Sequence, residues 1–329
     1  MLYSTAMTGL LERLSTRTPL LTDSATGTWF QQRLGVQHVG GECCDQYNLT
    51  QPDVVRELYR AKVDAGADLV LTNTFNSTPL RLREFDLEDE ADRFNDAGVR
   101  LLREVVAESG REVFVGGNVG PTGKLVGQSA TYDEVMDSVL RQVRALVRAG
   151  VDAICVETML QSLEGQIAVE AARQVFADEG VSVPLYVTFA FMNRPAASTA
   201  EFRTFFGDTV RQIMEGNEDL LAERPFVGVR QLGVDVVGAN CTIGVDDAVA
   251  VTEEFTRYLV AHGLAGRMWV SAKPNSQVMA TMQYEEPEFV AARFARFVEA
   301  GAHFVGYCCG STPAHIAATA RQRRALLGF

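Results

Sequence analysis

A repeated alternation of short apolar runs with longer amphipathic stretches extends through the chain. Each short run has the length of a buried strand, and each longer stretch carries apolar residues at three- and four-residue spacing, as amphipathic helices do. Three of the stretches end on Gly66, Gly150 or Gly301, where a left-handed helix cap is expected. The predicted strands are residues 19–22, 68–72, 113–118, 152–156, 185–189, 236–240, 268–271 and 303–306, and the predicted helices are 52–65, 88–108, 132–149, 162–177, 199–215, 246–262 and 286–300.

This alternation predicts an α/β fold, a single (β/α)8 TIM barrel formed as one domain over residues 1–329. Eight strand and helix units fit a chain of 329 residues. A doubly wound sheet is the main alternative, but the G-x-G-x-x-G fingerprint that such a sheet usually carries after its first strand is missing.

Charge and composition exclude several classes of partner. The net charge of -12 argues against binding to nucleic acid or to anionic membranes, which both require positive patches. A membrane span is not expected, since no apolar run reaches the length of about 18 residues that it needs. The first twenty residues lack the apolar core of a signal peptide, so the six cysteines indicate a reducing, cytoplasmic location.

Two adjacent cysteines, Cys308 and Cys309, follow the last predicted strand and precede a helix that Thr312 and Pro313 begin. Cys241 follows the sixth predicted strand. In a barrel the carboxyl ends of the strands meet at one face, so these three thiolates can offer Zn²⁺ three ligands and leave a fourth position open. Two alternatives stay open: the thiols are small core residues, or the adjacent pair is a redox pair without metal.

The remaining thiols and the last histidine are not predicted as ligands. Cys155 lies inside the fourth strand and is expected in the core. Cys43 and Cys44 follow the first strand and are interpreted as loop residues. His315 falls in the first turn of the last helix, where a surface or capping role is expected.

Polar residues follow the other predicted strands, where a barrel places its active site. Glu157 is the most informative of them, because a carboxylate at the barrel mouth needs a cationic or hydrogen-bonding partner, which a substrate ammonium group can supply. Asn73 and Asn118 can equally be turn or cap residues. The polar set at the strand ends is Asp23, Asn73, Asn118, Glu157, Asn240 and Asn275.

The chemistry of a three-thiolate zinc site favours reactions at sulfur. Such a zinc ion is electron-rich and generates hydroxide poorly, but it lowers the pKa of a substrate thiol, which then binds as thiolate at neutral pH. Alkyl transfer to sulfur from an activated donor is therefore favoured over hydrolysis.

Several runs together resemble the zinc-dependent homocysteine S-methyltransferases, a family that includes betaine–homocysteine methyltransferase and the homocysteine-binding module of cobalamin-dependent methionine synthase. The resemblance covers residues 18–320. The runs are DSATGT (23–28), GADLVLTNTF (66–75), GPTG (120–123), ET (157–158), NC (240–241) and CCGSTPAHI (308–316).

The resemblance implies a (β/α)8 barrel in which Cys241, Cys308 and Cys309 hold zinc. It also implies that Glu157 contacts the amino group of homocysteine and that the loop at Asp23 lines the same pocket. Asn275 matches an asparagine that lies near the metal in the methionine-synthase branch. The catalytic residues predicted on this basis are Glu157 and Asp23, and the substrate-binding residues are Asp23, Ser24, Asn73, Glu157, Asn240 and Asn275.

The chain departs from the family pattern near the expected pocket. Ser24 stands where members usually have glycine. Tyr307 stands where they usually have the second glycine of a Gly-Gly-Cys-Cys run. We expect Ser24 to alter backbone contacts to the amino acid and Tyr307 to add bulk beside the metal. After the seventh strand, the run KPNSQ (273–277) also lacks the small Ala-Gly pair that is often seen there.

The predicted function is methyl transfer to the thiol of L-homocysteine, giving methionine. Two alternatives remain: a paralogue that methylates a related thiol, and a non-catalytic barrel that holds zinc or serves a corrinoid protein. The sequence ends just after the barrel without a folate or cobalamin module. The methyl donor is therefore expected to be a free small molecule or a separate corrinoid protein, and homo-oligomer formation is left open.

Overall fold

Parallel strands form the centre of the molecule in a computed structural model that describes residues 7–15, 18–36, 42–195, 200–217, 225–278 and 283–328. The two ends of the predicted domain, residues 1–6 and 329, lie outside the described residues. The strands are β1 (Leu20–Leu21), β2 (Leu69–Leu71), β3 (Phe114–Val119), β4 (Ala153–Met159), β5 (Leu185–Phe189), β6 (Phe191–Pro195), β7 (Ala200–Thr204), β8 (Val236–Asn240), β9 (Trp269–Lys273), β10 (Gln277–Val278), β11 (Gln283–Tyr284) and β12 (Phe304–Val305).

Eight of these strands make one parallel sheet in the order β1-β12-β9-β8-β5-β4-β3-β2. The two edge strands approach each other, because the Asp68 N–H donates to the Leu21 carbonyl over 2.7 Å and the Leu21 N–H donates to the Asp68 carboxylate over 2.8 Å. The sheet is thus a nearly closed barrel, and the predicted (β/α)8 fold is confirmed. The other four strands form two antiparallel hairpins, β6 with β7 and β10 with β11.

Helices surround the barrel and bury their apolar faces against it. Gly150 ends one of them with a φ of 89°, and its N–H bonds the Val147 carbonyl, which confirms the predicted left-handed cap. None of the described helices is long and apolar enough to cross a membrane. The helices are α1 (Met7–Ser15), α2 (Thr26–Leu34), α3 (Tyr47–Thr50), α4 (Pro52–Asp64), α5 (Pro79–Leu82), α6 (Ala91–Ser109), α7 (Tyr132–Ala149), α8 (Ser162–Glu179), α9 (Val210–Glu215), α10 (Val245–Ala261), α11 (Pro287–Ala291), α12 (Phe294–Glu299) and α13 (Pro313–Leu327).

The predicted helix over residues 199–215 is wrong. Residue 199 lies outside the described residues, Ala200–Thr204 is strand β7, and only Val210–Glu215 is helical. The helix begins at Val210, and the preceding residue Thr209 caps it together with Gln212, after Gly207 has turned the chain at a φ of 102°. Apolar residues at helical spacing suggested one long helix, but pairing with β6 overrides that local preference.

The barrel interior has its own apolar cluster, separate from the larger layer between strands and helices. It includes first residues of several strands, among them Leu20, Leu69 and Phe304, together with Leu10 and Leu14 of α1. Helix α1 therefore covers the end of the barrel where the strands begin. The opposite end, where the strands stop, is left for polar side chains.

Candidate metal centre and adjoining cavity

Three thiols lie together where β8 and β12 end. The ligand atoms of Cys241, Cys308 and Cys309 are all within 4.8 Å of one another, and the sulfurs of Cys241 and Cys309 are 3.7 Å apart. Strand β9 lies between β8 and β12 in the sheet, so the two chain segments flank it. The barrel thus brings together thiols that are 67 and 68 positions apart in the chain.

The backbone around Cys241 adopts a constrained conformation. Cys241 and Thr242 have φ angles of 62° and 55°, in the left-handed region that few residues other than glycine adopt. Such residues cost on the order of 1–3 kcal/mol each and persist only where the surroundings impose them. Here the end of β9 contributes, because the Cys241 N–H donates to the Lys273 carbonyl and the Cys308 N–H donates to the Pro274 carbonyl.

The thiols resist ionisation in the absence of a cation. For Cys308, the hydrogen bond with Cys241 and burial raise the pKa well above its usual range, outweighing the hydrogen bond with Cys309. For Cys241, the hydrogen bond with Cys308 lowers the pKa, but the hydrogen bond with Cys309 and burial raise it to about 12. A divalent cation removes this penalty, and three sulfur donors suit Zn²⁺.

A cavity of about 340 Å³ adjoins the thiols. Its wall combines the three cysteines with charged and hydroxyl side chains from other strand ends, including Asp23, Ser24, Glu157 and Lys273. Its size is at the lower end of the range of small-molecule sites, about 300–1,000 Å³.

Four buried charged side chains form a connected cluster beside this cavity. The Lys273 Nζ lies 2.6 Å from Glu157 Oε1 and 3.3 Å from Asp23 Oδ1. The Lys62 Nζ lies 2.7 Å from Asp23 Oδ2 and 2.8 Å from the Thr26 hydroxyl. We call Asp23, Lys62, Glu157 and Lys273 the charge cluster; its formal charges sum to zero.

Burial and mutual attraction compete within the charge cluster. Burial raises the pKa of Asp23, but the charges of Lys62 and Lys273 outweigh it and the net shift is downward. Burial raises the pKa of Glu157 against the opposing charge of Lys273. Burial lowers the pKa of Lys273, but Glu157 and Asp23 more than compensate, so the ammonium form is strongly stabilised. For Lys62, burial dominates and lowers the pKa.

The predicted substrate-binding residues divide between the cavity wall and its support. Asp23, Ser24, Asn73 and Glu157 line the cavity. The Asn73 amide already donates to the Cys44 carbonyl over 2.9 Å and to Asn48 over 3.0 Å. Its side chain therefore has a structural task in addition to its place in the wall.

Asn240 and Asn275 are not among the described residues that line the cavity. The Asn240 side chain accepts from the Thr158 N–H over 2.8 Å and donates to the Thr158 hydroxyl over 2.7 Å, so it holds the end of β4. Its amide also lies 4.0 Å from the sulfur of Cys308. Asn275 is buried, and its amide oxygen and nitrogen have no hydrogen-bond partner among the described residues. The next residue, Ser276, donates its N–H to the Cys309 carbonyl.

Within the part of the chain that the structure describes, two polar atoms of the wall lack hydrogen-bond partners. The Ser24 hydroxyl and the Asn118 amide oxygen are buried and unpaired, although both residues line the cavity. Buried polar groups in proteins are almost always hydrogen-bonded. These atoms are therefore candidates for contacts with a bound small molecule.

The position of Tyr307 differs from the expectation that its side chain adds bulk beside the metal. It belongs to the cavity wall, but its side chain is only 1% exposed and its hydroxyl lies 2.6 Å from the hydroxyl of Thr319 on α13. The phenol end is thus directed towards α13. His315 has the expected capping role at this helix, but it is buried and not a surface residue.

The other cysteines have buried positions. Cys155 lies in the barrel interior, as predicted. Cys43 packs in a small apolar cluster with Leu82 and Phe94, while Cys44 reaches the cavity wall. All six cysteines are among the described residues, and all are free thiols.

Sequence reasoning missed the two lysines of the charge cluster. A substrate ammonium group was expected as the partner of Glu157, and the structure shows Lys273 in that position. A signal was available, because the chain has only three lysines, Lys62, Lys124 and Lys273, among 30 basic residues. The other basic residues are arginines, so a lysine at the end of a strand points to a specific role for its ammonium group.

The fold and the site define a class of protein: a (β/α)8 barrel with a three-cysteine centre and a charged cavity at the carboxyl ends of its strands. The chain belongs to the homocysteine S-methyltransferase family, whose family model matches residues 20–323. The resemblance found in the sequence is thereby confirmed.

Relatives of known name support this assignment. The chain is 31% identical to methionine synthase of Mycobacterium leprae and 33% identical to methionine synthase of Mycobacterium tuberculosis, over 322 aligned residues and 94% of this chain in each case. It spans about a quarter of the length of these relatives, 24% and 25%.

Solved structures share the fold. The homocysteine methyltransferase MmuM from Escherichia coli in its oxidized form gives a TM-score of 0.67 at 21% identity, covering 97% of this chain and 100% of that chain. Its metallated form gives 0.64 at 21% identity, covering 92% and 96%. At this level of identity the similarity establishes the architecture alone.

Proposed function

We propose that the chain is a zinc-dependent S-methyltransferase that transfers a methyl group to the thiol of L-homocysteine and forms methionine. The observation that carries the proposal is the three-thiol cluster of Cys241, Cys308 and Cys309 in the wall of a cavity that also contains charged groups. Family membership and the names of the relatives support homocysteine as acceptor.

In this proposal the chain's own residues hold the metal and position the acceptor. Cys241, Cys308 and Cys309 would bind Zn²⁺ as thiolates, with the Asn240 amide close to Cys308. When bound, the zinc ion would lower the pKa of an acceptor thiol so that it reacts as a thiolate at neutral pH. Glu157, Asp23 and Ser24 would hold the other end of the acceptor at a fixed distance from the thiols, which supplies proximity.

The setting of the reaction is part of the proposal. Six free thiols fit a reducing compartment, which supports a cytoplasmic location. Strands from Leu20 to Val305 and the terminal helix α13 build one barrel, which supports a single homocysteine-binding domain over residues 1–329. The methyl donor would be a small molecule or a separate corrinoid protein.

A product assay tests the proposal. Zinc-loaded protein is incubated with L-homocysteine and, in separate reactions, S-methylmethionine, S-adenosylmethionine, betaine or methylcobalamin, and methionine is measured by mass spectrometry. We expect methionine from at least one donor, and none with Cys308→Ala. No methionine from any donor, with zinc and fold intact, would contradict the proposal and favour a non-catalytic barrel.

A further inference from the structure

Lys273 already makes the contacts expected of a substrate ammonium group. The resemblance to the family implies that Glu157 contacts the acceptor's amino group and that the loop at Asp23 lines the same pocket. In this chain a lysine ammonium touches both carboxylates, Glu157 Oε1 at 2.6 Å and Asp23 Oδ1 at 3.3 Å. Since Lys273 comes from the end of β9, this cation is present whether or not an acceptor is bound.

The charge balance disfavours one more cation at this position. Asp23 and Glu157 carry two negative charges and Lys62 and Lys273 carry two positive charges, all on buried side chains. An additional ammonium group placed against these carboxylates would be a third positive charge among buried side chains. A buried charge without a compensating partner is strongly disfavoured, so the cluster does not favour a further cation at this position.

Lys273 retains the capacity to bind an anion. An ammonium group has three N–H donors, and the described contacts of Lys273 Nζ with carboxylates occupy two of them. Lys273 lines the cavity, whereas Lys62 is fully buried behind Asp23. Ser24, next to Asp23 in the chain, adds to the same wall a buried hydroxyl that has no hydrogen-bond partner among the described residues.

We propose that Lys273 determines acceptor specificity by replacing the acceptor's ammonium group against Glu157 and Asp23 and by binding the acceptor's carboxylate together with the Ser24 hydroxyl. The acceptors selected in this way are thiol carboxylates, whose amino group contributes little to binding. The inference rests on the proposed function, because it concerns the acceptor side of the same cavity.

The unaltered protein provides the first test. Binding to zinc-loaded protein is measured by calorimetry for L-homocysteine, for 4-mercaptobutyrate, which lacks the amino group, and for 3-aminopropane-1-thiol, which lacks the carboxylate. We expect 4-mercaptobutyrate to bind within about threefold of homocysteine and the aminothiol to bind at least about tenfold more weakly, a difference of about 1.4 kcal/mol or more.

Lys273→Met tests the residue itself. The substitution leaves Glu157 without its lysine partner, so the site should then favour a cationic acceptor. The ratio of the affinities for the aminothiol and for 4-mercaptobutyrate should rise by at least about tenfold relative to the unaltered protein. Comparing this ratio between proteins cancels the intrinsic difference between the two thiols.

Two variants serve as controls. Lys124→Met removes the third lysine, whose Nζ lies 3.0 Å from Glu84 Oε1. Lys124 is not among the described residues that line the cavity, so this substitution should leave the ratio unchanged. Lys273→Arg keeps the cation and should retain the preference for the carboxylate, so it stays informative if Lys273→Met does not fold. The proposal is contradicted if Lys273→Met folds and its affinity ratio is unchanged. It is also contradicted if folded Lys273→Arg loses the preference for the carboxylate.

The outcomes separate this inference from the proposed function. If homocysteine binds the zinc protein but removal of its amino group weakens binding more than removal of its carboxylate, the assignment of Lys273 is wrong and the proposed function stands. If none of the three thiols binds the zinc-loaded protein, the proposed function itself is contradicted.

Discussion

Asp23 connects the two halves of the charge cluster. Its carboxylate contacts Lys62 and Lys273 and accepts the N–H of Leu71 over 3.2 Å. Lys62 is fully buried, and its described charged partner is Asp23. Breaking a buried ion pair costs more than the pair contributes, because the remaining charge stays in the interior without compensation.

Asp23→Asn should therefore destabilise the protein by about 3–5 kcal/mol, as removal of one partner of a buried pair does. Denaturant unfolding measures the change. Asp53→Asn is the matched control, because Asp53 also pairs with a basic residue, Arg56 at 2.9 Å, but its side chain is 96% exposed. Equal and small losses in both variants would show that the charge cluster does not stabilise the fold.

Cys308→Ala should lower zinc affinity by more than the roughly 10- to 100-fold loss typical for residues that only support a ligand, because it removes a sulfur donor itself. Zinc per chain after dialysis against a chelator measures this. Cys43→Ala removes a buried thiol outside the three-thiol cluster and should retain zinc. Full retention of zinc in Cys308→Ala would exclude Cys308 as a ligand.

At the scale of elements, the contact between β12 and β1 aligns the thiols with the charge cluster. The Tyr307 N–H donates to the Asp23 carbonyl over 3.1 Å, and Gly306 permits this approach because a Cβ there would lie 1.8 Å from the Thr22 hydroxyl. Overpacking of this kind costs about 1–3 kcal/mol.

Gly306→Ala should thus lower the free energy of unfolding by at least about 1 kcal/mol and weaken zinc binding, since Cys308 follows two residues later. Chemical denaturation and zinc titration measure both effects. Gly244→Ala is the control, because a Cβ there meets no atom within 4 Å. If Gly306→Ala matches Gly244→Ala in both measurements, the tight contact between the strands has no energetic role.

The stability of the protein should depend on pH through His315 at the start of α13. Its Nδ1 accepts the Thr312 N–H over 3.1 Å, and burial lowers its pKa. Between that lowered pKa and the unfolded value of about 6.5, the unfolded chain binds more protons, so stability falls as the pH falls through this window. His303, whose pKa burial also lowers, contributes in the same direction.

His315→Gln isolates the contribution of this residue. Glutamine three residues after a threonine cap can retain the capping box but does not titrate. The free energy of unfolding, measured from pH 7 to pH 5, should therefore decrease less in His315→Gln than in the unaltered protein. An identical pH dependence in the two proteins would show that protonation of His315 does not change the free energy of unfolding.

The order of elements could be predicted from the sequence wherever local pattern and tertiary pairing agree. Runs such as Leu69–Leu71 and Val236–Asn240 are apolar, short and followed by polar residues, and they are barrel strands. For residues 199–215 local pattern and tertiary pairing disagree. Ala200–Thr204 pairs with Phe191–Pro195, and this pairing cannot be recognised from the sequence of either segment alone. The predicted helix 286–300 is similarly divided into α11 and α12.

At the scale of the whole molecule, the barrel explains which part of the site was predictable. Parallel strands end at one face, so Asp23, Glu157 and the three cysteines could be expected together from their positions after strands. The pairing of Lys273 with Glu157 could not, because the direction of a side chain at the barrel mouth depends on strand tilt and on the bulge in β4 after Val156. Lys62 reaches Asp23 from helix α4, outside the strand-end rule.

The whole barrel also separates support from chemistry. Helix α1 covers the end where the strands begin, and the cavity with the thiols opens among the residues that follow their other ends. Changes at the covered end should affect stability alone, whereas changes at the cavity should also affect binding.

Calorimetric titration of L-homocysteine into zinc-loaded and zinc-free protein, repeated in two buffers of different ionisation enthalpy, shows whether zinc takes the acceptor's sulfur as a ligand. We expect tight binding that requires zinc and releases about one proton, because the acceptor's thiol must ionise when a metal takes it as ligand. Equal binding with and without zinc, or binding without proton release, would contradict the claim that the three-cysteine centre receives the acceptor's sulfur.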